Sequence, residues 1–205
     1  MSALFVDNTT ALLGRSMRHV TRSVDTIVTT TVMPIAMLLL FVYVFGGAID
    51  LGDGAGVGSY VDYLLPGILL VTIGSGVAYT AFRLFLDVRG GIVERFRSMP
   101  VARTAVLWAH VLTSLVANAI SLTVVVGVAL LMGFRSGAGP LAWLGVAGVL
   151  GLFTLALTWV AVIPGLLAST PDGASAFSYP IIFLPFVSSA FVPTDSMPGP
   201  VPAFA

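Results

Sequence analysis

Ser75, set between glycines in Gly74-Ser75-Gly76, and His110 are residue types that can serve as nucleophile and base. Serine and histidine on neighbouring helices can pair for hydrolysis inside a membrane. The apolar runs around them set Ser75 near mid-helix and His110 near one end of the next helix, so they are expected at different depths and the pairing is disfavoured. His110 reads as an interfacial residue rather than a proton relay. Asn118 lies deeper in the same run as His110. A polar group there faces protein or a cavity. It is expected to make an interhelical hydrogen bond, with a place on a substrate pathway as the alternative. Arg83 closes the preceding apolar run and can snorkel to the interface, with substrate contact as the alternative.

A second kind of chemistry, recognition, is written into Gly91-Ile-Val-Glu-Arg-Phe-Arg-Ser-Met-Pro100. Ile92, Phe96 and Met99 recur at i, i+4 and i+7, which on a helix makes an apolar ridge, while Glu94 and Arg97 face away from it. Such a ridge can dock into a groove on a soluble partner or rest on a membrane surface. On the first reading Phe96 and Met99 enter the groove, and Glu94, Arg95 and Arg97 orient the contact through charge-assisted hydrogen bonds.

Other chemistries are excluded by residue type. All nine basic residues are arginine, so no phosphate-binding loop of the G-x-x-x-x-G-K-[ST] kind exists in this chain. The glycine-rich stretch 46–58 is acidic and has no cation beside it, so it reads as a flexible loop rather than a phosphate cradle. There is no cysteine, hence no disulfide, thiolate metal site or cysteine nucleophile. Formal net charge is zero and no basic run occurs, which is unlike a nucleic-acid binder.

The elements that must carry these residues are membrane helices. Of 205 residues, 58% are hydrophobic and 9% charged, and a soluble surface cannot be covered with so few charges. Five stretches approach the ~20 apolar residues that cross a bilayer: 27–45, 64–86, 105–134, 141–168 and 177–192. The last is the shortest and contains Pro180 and Pro185, backbone that lipid tolerates only where protein satisfies the freed groups. Asp7, Arg15, Arg18, Arg22 and Asp25 precede the first run, which argues against a cleaved leader. The expected fold is all-α, a single polytopic membrane domain over 1–205.

Arginine placement orients it. Arg15, Arg18 and Arg22 precede the first run, and Arg83, Arg89, Arg95, Arg97 and Arg103 lie between the second and third, leaving Arg135 alone on the other side. Cytoplasmic loops are enriched in such residues, so the N-terminus is expected in the cytoplasm of a cell with this plasma membrane. Within 13–25, Leu13, Met17, Val20 and Val24 form one stripe and Arg15, Arg18 and Arg22 the opposite one, the pattern of an interfacial helix touching lipid headgroups.

Taken in order, Arg22-Ser-Val-Asp25, Pro34, Phe41-Val-Tyr-Val-Phe-Gly-Gly-Ala48, Tyr63-Leu-Leu-Pro-Gly-Ile68, Gly91 to Pro100, Ala190-Phe-Val-Pro193 and Ser196-Met-Pro198 resemble the type-2 ABC exporter permeases. The resemblance runs over nearly the whole chain and is nearest to the daunorubicin-resistance transmembrane subunits of actinobacteria. It implies six spans, so the last is expected to be missing here. It further implies a second copy of the membrane subunit and a cytoplasmic ABC ATPase, which uses ATP and Mg while this chain binds no cofactor. On the same resemblance 90–100 is the coupling helix that touches the ATPase, and 13–25 is the connecting helix beside it. The implied activity is export of a drug, antibiotic or lipid-like molecule, hydrophobic or amphipathic, with polysaccharide or glycolipid as the competitor. Asn118, Phe183, Phe186 and Phe191 are the pathway candidates. An ion-driven secondary transporter would normally carry mid-membrane carboxylates, whereas all nine acidic residues fall in loops or at span ends.

Overall fold

The computed structural model describes residues 24–45, 57–91, 103–188 and 191. Positions 13–23 and 92–100 lie outside these. With them go Arg15, Arg18 and Arg22 of the expected interfacial helix, and Ile92, Glu94, Arg95, Phe96, Arg97 and Met99 of the expected coupling helix.

Every described element is helical. Helix α1 (Val24–Leu40) passes into one wide π-turn at Phe41–Phe45. It is followed by α2 (Val57–Arg89), α3 (Arg103–Leu131), α4 (Pro140–Leu167), the single-turn α5 (Pro171–Ser175) and α6 (Ser178–Val187). Helices α2, α3 and α4 contain 33, 29 and 28 residues, about 42–50 Å at 1.5 Å per residue, longer than the ~30 Å hydrocarbon core. Their length and apolar composition suit membrane crossing. Pro140 opens α4, where its missing N–H would have no partner anyway, while Pro66 lies inside α2 and Pro164 inside α4, and both helices continue through them.

The helix ends are written in glycine. Gly133, at φ +106°, closes α3. The Phe134 N–H returns to Ala129 O at 2.9 Å and the Gly133 N–H to Leu130 O at 3.3 Å, the double bond of a left-handed C-terminal cap. This closes α3 at Leu131, short of the 105–134 expected from apolarity alone.

The fifth expected span, 177–192, is described only through 188 and at 191. Within it the helix Ser178–Val187 holds 10 residues, about 15 Å long. Pro185 disrupts the backbone ladder, and the Ser188 hydroxyl takes the Pro185 carbonyl at 2.8 Å, so the helix stops with its last acceptors locally satisfied. α6 packs on α2 instead of standing alone.

Helix α2 is the axis. It touches every other helix, and 67% of its apolar window is buried, against 28% and 22% for α3 and α4. Its buried face supplies Leu64, Leu65, Ile68, Leu69 and Val71 to a cluster completed by Leu38, Val42, Val125, Ala129 and Phe191. The opposite faces of α3 and α4 remain apolar and open, as at Leu131, Leu141, Leu144 and Leu167. With lipid as the surrounding solvent such faces are satisfied, and together with the helices they make this a multi-pass α-helical membrane protein.

Candidate functional site

Residues that differ from lipid-facing ones must sit where α2 meets α3 and α4. Along α2, Thr72, Gly76 and Thr80 share one face at i, i+4 and i+8; along α3, Ser114, Asn118 and Ser121 do so at i, i+4 and i+7, and along α4, Thr154 and Thr158 at i and i+4. The threonine hydroxyls first satisfy a carbonyl of their own helix: Thr72 donates to Ile68 O at 2.7 Å, Thr154 to Leu150 O at 2.7 Å, and Thr158 to Thr154 O at 2.7 Å. The Thr80 hydroxyl is shared between Gly76 O at 3.0 Å and Ser114 Oγ at 2.8 Å. Ser114 Oγ lies 3.3 Å from Thr158 Oγ1, and Thr31 donates to Ser121 Oγ at 3.0 Å. The result is a seam of hydroxyls in two groups: Thr80, Ser114 and Thr158 join α2, α3 and α4, and Thr31 with Ser121 joins α1 to α3. Interhelical bonds of this kind contribute on average about 0.6 kcal/mol each, enough to hold register while leaving the contacts exchangeable.

Asn118 sits in this seam at 2% exposure. Its amide nitrogen donates to Ser114 O of its own helix at 3.0 Å and lies 3.4 Å from Ser114 Oγ. The expected interhelical bond is therefore not made. The carbonyl oxygen Oδ1 is buried without a hydrogen-bond partner and lies against Gly76, where a Cβ would come within 2.3 Å of it. Only glycine lets the two helices close over this amide, so the Gly74-Ser75-Gly76 sequence serves packing rather than catalysis. Ser75 bonds back to Val71 O at 2.9 Å. Its expected separation from His110 holds, since His110 pairs with Asp87 at 3.1 Å, near the Arg89 end of α2.

Between these two levels lies a polar cavity of about 40 Å³, walled by Thr30, Tyr79, Thr80, Arg83, His110 and Ser114 and floored by Asn118. This cavity lies in the half of the bundle toward the Arg89 end of α2. The other half differs in kind. Two apolar grooves of about 420 and 460 Å³ meet at Leu69, Val126, Trp143, Val146 and Leu150, where Phe134 and Trp143 stand edge to face at 6.2 Å between centroids.

The three aromatic candidates fall together, apart from Asn118. Phe186 and Phe191 stack at 4.5 Å with an 11° angle, and Phe41 of the π-turn meets Phe191 at 5.4 Å. Phe191 is 3% exposed within the main apolar cluster. Phe183 joins through Phe186 at 6.2 Å and is itself exposed. The cluster fastens α6 to the end of α1.

The hydroxyl seam is the feature that sequence reading missed. Its signal was the four-residue spacing of small polar side chains on three consecutive apolar helices, visible once the runs are aligned antiparallel.

Comparison with known proteins adds the following. The model of the family described as ABC-2 type transporter matches residues 7–204. The chain is 33% identical over 168 residues to the daunorubicin resistance ABC transporter permease protein DrrB1 of Streptomyces coeruleorubidus, covering 82% of this chain and 58% of that relative. It is 24% identical over 205 residues to the probable doxorubicin resistance ABC transporter permease protein DrrC of Mycobacterium tuberculosis, covering 98% of this chain and 72% of the relative. The chain thus spans a little under three fifths of the length of the first relative. No solved structure matches it.

Proposed function

The chain belongs to the ABC-2 type transporter family, and from that premise we propose that it is the membrane-spanning permease subunit of an exporter for a hydrophobic or amphipathic drug, antibiotic or lipid-like molecule. It works as a pair of such subunits in a bacterial plasma membrane with the N-terminus cytoplasmic. ATP and Mg are used by a separate cytoplasmic ATPase. One observation carries this reading: the family match extends over 7–204 of a chain that has no lysine and so no phosphate-binding loop of its own.

Three further features support it. The likeness to permeases named for daunorubicin and doxorubicin resistance suggests an amphipathic drug as cargo. The bundle offers both a polar cavity near one end and apolar grooves near the other, the two environments an amphipathic molecule exchanges on crossing. Asp62 and Asp87 lie near the ends of α2, which leaves no mid-helix carboxylate on it for ion coupling. The residues 92–99 act as the contact to the ATPase on this reading, and the 13–25 segment as the interfacial lever beside it.

The test is reconstitution of the full-length protein with its ATPase in inside-out proteoliposomes, with daunorubicin as cargo. Uptake is expected to require ATP, Mg and the ATPase, and to survive dissipation of ion gradients. Uptake that follows an imposed ion gradient without the ATPase would replace the proposal with a secondary transporter.

A further inference from the structure

Arg83 lies inside the long apolar helix α2, three residues beyond Thr80 of the hydroxyl seam, and among the described residues its guanidinium has an aromatic neighbour but no anion. Its carbon stands 6.0 Å from the centre of the Tyr79 ring. Among the described residues no hydrogen bond or ion pair involves its side chain, and the carboxylate one turn away, Asp87, pairs with His110 at 3.1 Å. A guanidinium has five donors in a planar fork, suited to two oxygens of one anionic group. The cavity beside it is lined by Thr30, Thr80, Thr113, Ser114 and His110, with no carboxylate on its wall, and the Thr80 and Thr113 hydroxyl protons are already given to Gly76 O and Ala109 O. Arg89, farther along, is already committed to Ala168 O at 3.2 Å and to the Phe85 ring at 5.5 Å, so it does not compete for the same ligand.

We propose that Arg83, on the wall of this polar cavity, forms a binding site for the anionic headgroup of an amphiphile. Two phosphate or carboxylate oxygens sit on the guanidinium fork, and the apolar tail runs along the open face of the bundle. The cavity of about 40 Å³ admits the charged oxygens rather than a whole headgroup, so charge on the oxygens, not headgroup size, sets the selectivity. Tyr79 holds the guanidinium plane toward the cavity. The ligand chemistry has two sources, a phospholipid of the adjacent leaflet or an anionic amphiphile on its way through the protein. The site stands on its own geometry and does not depend on which cargo the exporter carries.

The full-length protein is purified into nanodiscs of phosphatidylcholine containing one fifth phosphatidylglycerol, and bound lipid is read by native mass spectrometry. In parallel, dodecyl phosphate is titrated against protein in pure phosphatidylcholine nanodiscs, with dodecyl maltoside as the neutral control. Retained phosphatidylglycerol, lost in Arg83→Met and weakened about tenfold in Arg83→Lys, supports the lipid source. Dodecyl phosphate binding with the same dependence, and no retained phosphatidylglycerol, supports the transported source. Should Arg83→Met fail to fold, the wild-type against Arg83→Lys comparison carries the result, because lysine keeps the charge and loses the two-oxygen fork. Equal binding of dodecyl phosphate and dodecyl maltoside, or of the anion by wild type and both variants, overturns the proposal.

Discussion

Gly76→Val is expected to melt well below the wild-type protein and to lose transport, and Asn118→Ala in the same chain is expected to restore much of the loss. A Cβ at position 76 would lie 2.3 Å from Asn118 Oδ1, 2.8 Å from its Cγ and 2.8 Å from its Nδ2, inside any van der Waals contact. Relief requires α2 and α3 to separate, or Asn118 to leave a rotamer that its bond to Ser114 O at 3.0 Å helps to hold. Overpacking of this kind costs about 1–3 kcal/mol for an added methyl or methylene, and valine adds three carbons. A loss of about 3 kcal/mol would lower the midpoint of a chain this size by roughly 6–12 °C. Alanine at 118 removes the colliding atoms and an unpaired buried carbonyl together, so the single Asn118→Ala change should be mild and the pair strongly non-additive. Thermal unfolding of the four proteins in one detergent reads the cycle. Additive effects, or a Gly76→Val protein that melts with the wild type, would show that the helices do not close over this amide.

The second large effect belongs to the 92–99 segment. Phe96→Ala is expected to weaken association with the ATPase by about 30-fold, the ~2 kcal/mol typical of a central aromatic anchor, and to uncouple transport from ATP turnover. Phe96 is the middle of three residues at helical spacing, so its loss interrupts the ridge, whereas Val93 lies off it and Val93→Ala should change association less than threefold. Glu94→Ala and Arg97→Ala should act chiefly on the salt dependence of binding, because flanking charges steer more than they anchor. Titration of the ATPase onto nanodisc-embedded variants measures this. Equal affinity of Phe96→Ala and wild type would place the contact elsewhere.

Where the helices lie was legible in the sequence because lipid imposes one rule, that backbone groups must pair within their own segment. Apolar runs then coincide with helices, and α1, α2, α3 and α4 fall on the first four runs. What apolarity does not encode is where a helix stops. Gly133 ends α3 through a left-handed turn, and Ser188 with Pro185 cuts α6 to 10 residues; hydropathy passes over both, although the residue types announce them.

The site was legible in part. Asn118 stood out as the one amide in an apolar run, and its burial follows from that. Its orientation did not, because the amide turned back on Ser114 depends on Gly76, a residue 42 positions earlier that faces it only once the two helices run antiparallel. Threonine and serine in apolar helices looked individually unremarkable, since each can bond the carbonyl four residues back. Their meaning came from alignment across helices, as with Thr80, Ser114 and Thr158. Phe191 shows the opposite case: an aromatic candidate for a pathway is buried by Phe41 and Phe186, where π-stacking holds the π-turn against α6.

The central claim is that this membrane subunit draws its energy from another chain. Its most direct measurement is to express the full-length protein with the products of neighbouring genes, purify it in nanodiscs through a tag on this chain alone, and assay the complex for bound ATPase and for ATP hydrolysis. The account predicts an associated subunit carrying a lysine-containing phosphate loop, at one copy per membrane subunit, with turnover that rises when daunorubicin is added. A membrane protein that purifies without any ATPase and still moves cargo would contradict it.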